Sequence, residues 1–328
     1  MNDSSTTADP THAEAAERLG ELSAALNRVV LGQSAVIEQV LAAFLAGGHV
    51  LIEGVPGLAK TLLAQCLATT LGGEFSRIQF TPDLMPADIT GHAMYDMKSE
   101  KFRLRRGPIF CNILLADEIN RAPAKTQAAL LEVMQEQRVT IEGKALSVPE
   151  PFMVLATQNP IEHEGTYLLP EAQLDRFVMK VLIDYPDAEA ERRIAMNLAG
   201  IRDDLRSLAQ TLEAMLDPAA ALALRAQARK IRIDEEIADY AVAIARATRQ
   251  WPGIEIGAGP RASIALLRVA QASALMAGRD FVVPDDVKRF ATACLRHRIT
   301  LSAEFQMEGQ SPDEVLERLI EDQQAPRQ

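Results

Sequence analysis

From residue 22 to residue 46, apolar side chains recur every three to four positions, the period of an amphipathic helix. The pattern is interrupted at Leu31-Gly32-Gln33 and stops at Gly47-Gly48. The next residues, HVLIEG (49–54), form a short apolar run that predicts a buried strand. A helix over 60–71 and a second strand over 75–80 follow, and the run 112–116 predicts a third strand ending in Asp117-Glu118. The helix expected over 124–137 is opened by Pro123 in its first turn and carries Gln127, Leu130, Leu131 and Met134 along one face. Two further strands are expected over 152–157 and 177–183. Short apolar runs alternating with helices predict an α/β fold, a parallel sheet covered on both faces.

Two stretches break the alternation. Residues 92–106 (HAMYDMKSEKFRLRR) and 138–148 (RVTIEGKALSV) each look like two short strands around a turn, as readily a surface ornament as a functional insertion. Near Pro186 the pattern changes. Residues 187–300 are Ala/Leu/Arg-rich helical segments, with starts at Asp217-Pro218, Asp234, Gly259-Pro260 and Pro284-Asp285 and no strand of comparable quality. An α/β domain over 19–186, followed by a helical domain over 187–322, is therefore expected. Residues 1–18 and 323–328 read as loose tails. The chain has no internal repeat and no low-complexity tract.

A length of 328 residues suits two domains, and 48% hydrophobic with 24% charged residues supports a packed core. Aromatics at 5% disfavour a stacking surface for single-stranded nucleic acid. With 45 acidic against 34 basic residues, the net charge of −11 disfavours a protein-wide face for duplex DNA and leaves only a local basic loop. Cys66, Cys111 and Cys294 are far apart without ligand spacing, as expected of small core hydrophobes in a reducing compartment. The N-terminus has neither the basic start nor the apolar stretch of a secretory signal, and no run approaches the roughly 18 apolar residues of a membrane span. The expected class is a cytoplasmic protein.

GVPGLAKT (54–61), between a strand and a helix, has the context of a phosphate-binding loop. Glycines let the backbone turn its N–H groups inward, and the helix N-terminus adds positive potential. Gly54, Val55, Pro56, Gly57, Leu58 and Ala59 would form the cradle, Lys60 would reach the β- and γ-phosphates, and Thr61 would offer its hydroxyl to Mg²⁺. Ala59 stands where glycine is usual; alanine tolerates helical φ/ψ, so the loop is expected to survive. NILLADEIN (112–120) delivers two adjacent carboxylates at a strand end. Asp117 would hold the metal and Glu118 would polarise the attacking water.

Asn159, in TQNP (157–160), could contact the γ-phosphate or the water if its strand lies between the other two. It reads equally well as a turn asparagine before proline. Arg176 directly precedes a strand, and Arg261 sits in the first turn of a helix, against the macrodipole preference, which suggests an anionic partner. Either arginine alone also reads as a surface or salt-bridge residue. His163, beside Glu162 and Glu164, suits no standard metal-ligand set and reads as solvated loop.

The blocks GVPGLAKT, ILLADEINRAPAKTQAALLEVMQE, ATQNPIEHEGTYLLPEAQLDRF and GPRASIALL, with RIQFTPDLMPADITG (77–91), together resemble the MoxR-type AAA+ ATPases over residues 22–319. The Ala59 departure is typical of that family. The resemblance implies a five-stranded core followed by a helical lid, with ATP and Mg²⁺ held between core and lid and between neighbouring subunits of a ring, a hexamer by expectation. It implies Walker A roles for Lys60 and Thr61, Walker B roles for Asp117 and Glu118, and the sensor 1 role for Asn159. Arg176 would be the finger reaching the next subunit, Arg261 the sensor 2 arginine of the lid, and residues 30–33, with Gly32 and Gln33, the cover of the adenine. Residues 92–106 and 138–148 match the helix-2 and pre-sensor insertions. Such proteins are chaperone-like ATPases that act with von Willebrand factor A domain partners in metal insertion or maturation of a protein client. With an arginine expected on each side of the nucleotide, loss of the γ-phosphate would release Arg261 and let the lid rotate. The alternative is a DNA-associated motor or transcription activator on the same core. Only the basic cluster Lys101, Arg103, Arg105 and Arg106 supports it.

Overall fold

The computed structural model describes residues 11–55, 57–98, 100–159, 167–199, 209 and 211–326. Its centre is a five-stranded, all-parallel sheet in the order β2-β5-β8-β1-β9, built from β1 (Val50–Glu53), β2 (Phe75–Gln79), β5 (Ile113–Asp117), β8 (Met153–Gln158) and β9 (Met179–Leu182). The three inner strands are almost wholly buried, and successive residues feed opposite cores. Val50, Ile52, Ile113, Leu115, Met153 and Leu155 face one cluster, while Leu51, Leu114, Ala116, Val154 and Ala156 face the other.

On the first face lie α1 (His12–Val29), α2 (Ser34–Leu45) and α3 (Lys60–Thr70). The helix α1 starts earlier than expected. A reciprocal cap between Thr11 and Glu14 opens it, and Ala15, Leu19, Leu22 and Leu26 form its buried stripe, so residues 11–18 are not a loose tail. Residues 1–10 and 327–328 of the expected tails lie outside the described residues. On the second face lie a short helix that the apolar pattern did not reveal, α4 (Pro86–Thr90), and α5 (Ala124–Glu136), whose N-cap is Pro123. The hairpins are β3 (Gly91–Asp96) with β4 (Lys101–Arg106), and β6 (Arg138–Ile141) with β7 (Lys144–Ser147).

After the short α6 (Glu171–Leu174), β9 and α7 (Ala188–Ala199), the helical lid contains α8 (Pro218–Lys230), α9 (Glu235–Ala247), α10 (Pro260–Met276) and α11 (Pro284–Leu295). The chain closes with α12 (Ala303–Met307) and α13 (Pro312–Asp322). No strand is expected here from the sequence, yet β10 (Ile254–Ile256) and β11 (Thr300–Leu301) pair antiparallel. Two and three residues are too short to leave a periodic trace. The lid shares the first core cluster with α1 and α2. Arg225 on α8 pins the joint: it donates to the Phe44 carbonyl at 2.7 Å and stacks over the Phe44 ring. The three cysteines are free and buried, and burial pushes each thiol up to about 12.

Two buried histidines tie elements together. The Val154 amide donates to His49 Nδ1 at 2.9 Å, which leaves Nε2 to donate to the Met134 carbonyl at 3.0 Å. Burial lowers the His49 pKa to about 4, and burial also holds His297, bonded to the Phe177 carbonyl, well below its ordinary value. The unfolded chain protonates both near pH 6.5, whereas the folded chain keeps them neutral, so stability is full above that pH and falls as pH drops toward 4. Between pH 6.5 and 5 His49 should remove on the order of 2 kcal/mol, and His297 acts in the same direction. Urea unfolding across that range should show the decline, and His49→Gln should make it shallower.

Candidate active site

The phosphate-binding loop leaves the C-terminal end of β1 and enters α3 directly. Gly54 is required by close approach: a Cβ there would lie 2.4 Å from the Ile183 carbonyl oxygen. Gly57 has φ +88°, and Val55 and Leu58 continue the turn; Pro56 lies outside the described residues. Ala59 corrects the sequence reading. It is left-handed (φ 58°, ψ 20°), not helical, and caps α3 from a conformation that disfavours a side chain. The amides of the first turn of α3 have no helical partner and are suited to an anion.

Lys60, the first residue of α3, folds back so that its ammonium donates to the Gly54 carbonyl. Burial lowers its pKa, and the carboxylates of Asp117, Glu118 and Glu53 oppose that shift. Thr61 occupies the same first turn. β8 lies between β5 and β1, which meets the condition set for Asn159. That residue follows β8, buried, between the Asp117-Glu118 edge and the Gly54 loop.

Asp117 and Glu118 are held by residues that the sequence reading did not single out. The Thr157 hydroxyl donates to Asp117 Oδ1 at 2.6 Å and accepts from the Glu118 amide at 2.9 Å. It thereby fixes a turn in which Glu118 is left-handed (φ 56°, ψ 50°), an outlier of the kind that collects at functional sites. Arg77 on β2 donates twice to Asp117 Oδ2, at 2.6 and 3.2 Å. Gln79, two residues on and on the same face, donates to Glu118 Oε2 at 2.7 Å, and Arg121 approaches the same oxygen at 3.1 Å. Both β2 side chains follow from strand alternation beside β5, a signal usable only once the pairing Gln79↔Asp117 is known.

Beside the loop is an apolar cleft of about 490 Å³ whose walls include Leu31, Gln33, Leu58, Leu62, Tyr185 and Leu212. Gln33 donates to the Asp184 carbonyl at 2.8 Å, and Gly32 (φ +74°) lets the α1–α2 turn press on Pro186, whose Cβ would lie 2.7 Å from an added Cβ. A flat, largely apolar base fits such a cleft, with phosphates directed to the loop.

Arg176 and Arg261 lie elsewhere. Both line a second cleft of about 390 Å³ that also includes Gly47, Gly48 and His49, at the opposite end of β1 from the phosphate loop. Arg229, Arg268 and Arg298 complete its basic lining, and Asp175 is its acid. The Arg176 Nε is buried without a hydrogen-bond partner, and Arg261 approaches Asp175 only at 3.9 Å. The expectation that Arg261 flanks the nucleotide of its own chain is therefore corrected: the strand β1 separates the two. His163 and its neighbours Glu162 and Glu164 lie outside the described residues.

A family model described as "ATPase family associated with various cellular activities (AAA)" matches residues 49–179, and an AAA lid domain model matches 246–319. The uncharacterised protein YeaC of Bacillus subtilis is 43% identical over 310 residues, 94% of this chain and 95% of that one. Chaperone MoxR1 of Mycobacterium tuberculosis is 43% identical over 307 residues, 90% and 79% of the two chains. Protein MoxR of Methylorubrum extorquens is 31% identical over 85% of this chain and 87% of its own. The crystal structure of a candidate ATPase from Cytophaga hutchinsonii superposes with TM-score 0.88 at 39% identity, covering 96% of this chain and 97% of that one. The chain belongs to the MoxR-type AAA+ ATPases.

The AAA match contains Lys60, Asp117, Glu118, Asn159 and Arg176, and the lid match contains Arg261 and Arg298. Within this MoxR-type loop the left-handed Ala59 should respond to one substitution. Ala59→Gly should raise stability by about 1 kcal/mol, read as a higher thermal midpoint with nucleotide affinity retained. An unchanged or lower midpoint would mean that the packing of the Ala59 methyl beside the apolar cleft outweighs the strain.

Proposed function

We propose that this protein is an oligomeric, ATP-hydrolysing remodelling factor whose active sites are completed between subunits. The observation that carries this reading is the split of the machinery. Lys60, Asp117 and Glu118 gather at the C-terminal end of the sheet, and the basic cleft with Arg176 and Arg261 lies at the other. One chain thus offers a triphosphate cradle without its arginines, and an arginine cleft without a phosphate.

In this reading the adenine enters the apolar cleft near Gly32 and Gln33, and the loop amides with Lys60 hold the phosphates. Glu118, once released by Gln79, accepts a proton from the attacking water, and Asn159 orients that water. Among the described residues no three His, Cys, Asp or Glu side chains converge as a metal cage. One carboxylate, Asp117, and one hydroxyl, Thr61, instead suit Mg²⁺, which is bound by few protein ligands plus phosphates and water. Magnesium there would neutralise phosphate charge. Arg176 and Arg261 of a neighbour would stabilise charge developing on the transferred phosphoryl group, an effect worth on the order of 10³ to 10⁵ in rate in other phosphoryl-transfer systems.

The hairpin β3–β4 supports a protein client. One face carries the edge-to-face pair Tyr95 and Phe102 with Leu104, all exposed, and the other carries Lys101, Arg103 and Arg105. A relative named as a chaperone, MoxR1, favours the same role, and the hexameric ring, the von Willebrand factor A domain partner and metal insertion or maturation of the client belong to this proposal. The basic strand also favours the DNA-associated alternative, which the net charge of −11 opposes.

Glu118→Gln should retain ATP binding by calorimetry while steady-state phosphate release falls at least a hundredfold; unchanged release would remove Glu118 from the chemistry. Arg176→Ala should bind ATP normally yet hydrolyse little, and mixing it with Lys60→Ala subunits should restore part of the activity. No recovery in the mixture would sink the role across an interface.

A further inference from the structure

Arg298 follows α11 and is nearly inaccessible, with 3% of its side chain exposed. Each guanidinium nitrogen is used. Nε donates to Asp175 Oδ1 at 2.7 Å, and Nη2 donates to the Phe177 carbonyl at 2.7 Å and the Asp175 carbonyl at 3.3 Å. Nη1 donates to the Val178 carbonyl at 3.2 Å and to the Cys294 carbonyl at the end of its own helix. Four of these five bonds land on residues 175, 177 and 178, so a lid side chain grips the backbone on both sides of Arg176. The remaining carboxylate oxygen, Asp175 Oδ2, faces Arg261 at 3.9 Å. Neighbouring residues reinforce the contact: His297 bonds the Phe177 carbonyl, and Arg296 bonds the Lys180 carbonyl on β9.

The geometry points to Arg298, with Asp175, as a positioning residue that locks the core segment bearing Arg176 to the lid helix bearing Arg261, so that both arginines are presented to a neighbouring subunit as one unit. This rests on the across-interface reading of Arg176 proposed above. A planar fork is needed because one group must serve a carboxylate and several carbonyls at fixed angles, which an ammonium cannot do. Arg298 does not touch phosphate in this role. Its effect is exerted wholly through Arg176 and Arg261, on the subunit next door.

The test uses Arg298→Lys, which keeps the charge and loses the fork, and Asp175→Asn as a second variant should the lysine protein fail to fold. Each is measured for ATP affinity by calorimetry and for kcat, alone and mixed with Lys60→Ala subunits, with Arg176→Ala run in parallel. The expected result is an ATP Kd within about twofold of the parent chain and a kcat lowered at least tenfold. Added Lys60→Ala subunits, which supply intact arginines but turn over no ATP, should restore part of it. Parental kcat, or a loss that these subunits do not relieve while they do relieve Arg176→Ala, overturns the positioning role alone. Failure of relief for Arg176→Ala itself overturns the across-interface reading and the positioning role with it.

Discussion

An ammonium half buried among carboxylates is the interaction on which the nucleotide end of this molecule depends. Lys60 sits where Asp117, Glu118 and Glu53 all raise its proton affinity while burial lowers it. The acids are in turn shared out among other cations: Lys180 holds Glu53 at 2.7 Å, Arg77 holds Asp117 and Arg121 holds Glu118. The site is therefore near charge balance before any phosphate arrives. A polyphosphate upsets that balance, and the partners able to yield are the side chains on the exposed strand β2, because Lys60 and Thr157 are fixed by α3 and by the buried strand β8. In the proposed mechanism Gln79 and Arg77 would have to release the two acids before Glu118 could act.

The parallel sheet imposes a second constraint. Every strand end that carries chemistry in β1, β5 and β8 points the same way, so the loop, the acids and Asn159 converge without long connections. The same rule leaves the opposite edge of the sheet for residues that precede strands, and Arg176 precedes β9. An arginine on that edge is about a strand length, on the order of 13 Å for four residues, from the phosphate loop of its own chain. In the reading proposed above, charge stabilisation from Arg176 would reach only a nucleotide brought to that edge by another subunit, and assembly would be a condition of catalysis.

Much of this was legible in the residues. GVPGLAKT and the strand ending in Asp117-Glu118 carry their chemistry in contiguous sequence, and four of the five strands announced themselves as apolar runs, β2 being a weaker candidate. What was not legible depends on pairing in space. Thr157, Arg77 and Gln79 matter only because β5 lies between β2 and β8, and no local pattern encodes that order. The left-handed Ala59, packed against the first core cluster, defies the local preference of alanine. Arg261 was visible as an oddity at a helix start, but which end of the sheet it faces is a property of how the lid docks. The opening of α1 was hidden behind a polar tail whose Thr11–Glu14 cap looks like loop composition.

β9 connects the two ends. At its C-terminal end the chain passes the Gly54 loop at Ile183, bonds Gln33 through the Asp184 carbonyl, and lines the apolar cleft with Tyr185 and Pro186. At its N-terminal end it begins just after Arg176, inside the grip of Arg298. Four extended residues hydrogen-bonded along β1 transmit displacement with little slack, and Arg296 and Lys180 tether the strand to the lid and to Glu53 on the way. The apolar cleft and the arginine segment are therefore joined by one short strand, so that in the proposed ring occupancy of the cleft in one subunit would be linked to presentation of its arginines to the next. A shift of the strand at either end would carry to the other unless the β1–β9 pairing gave way. That pairing is secured by a close fit: a Cβ on Gly48 would lie 2.4 Å from the Val178 side chain, leaving no room for the strand to slide. In the proposed ring, coupling between binding and assembly would thus follow from backbone register, with the arginines as its output.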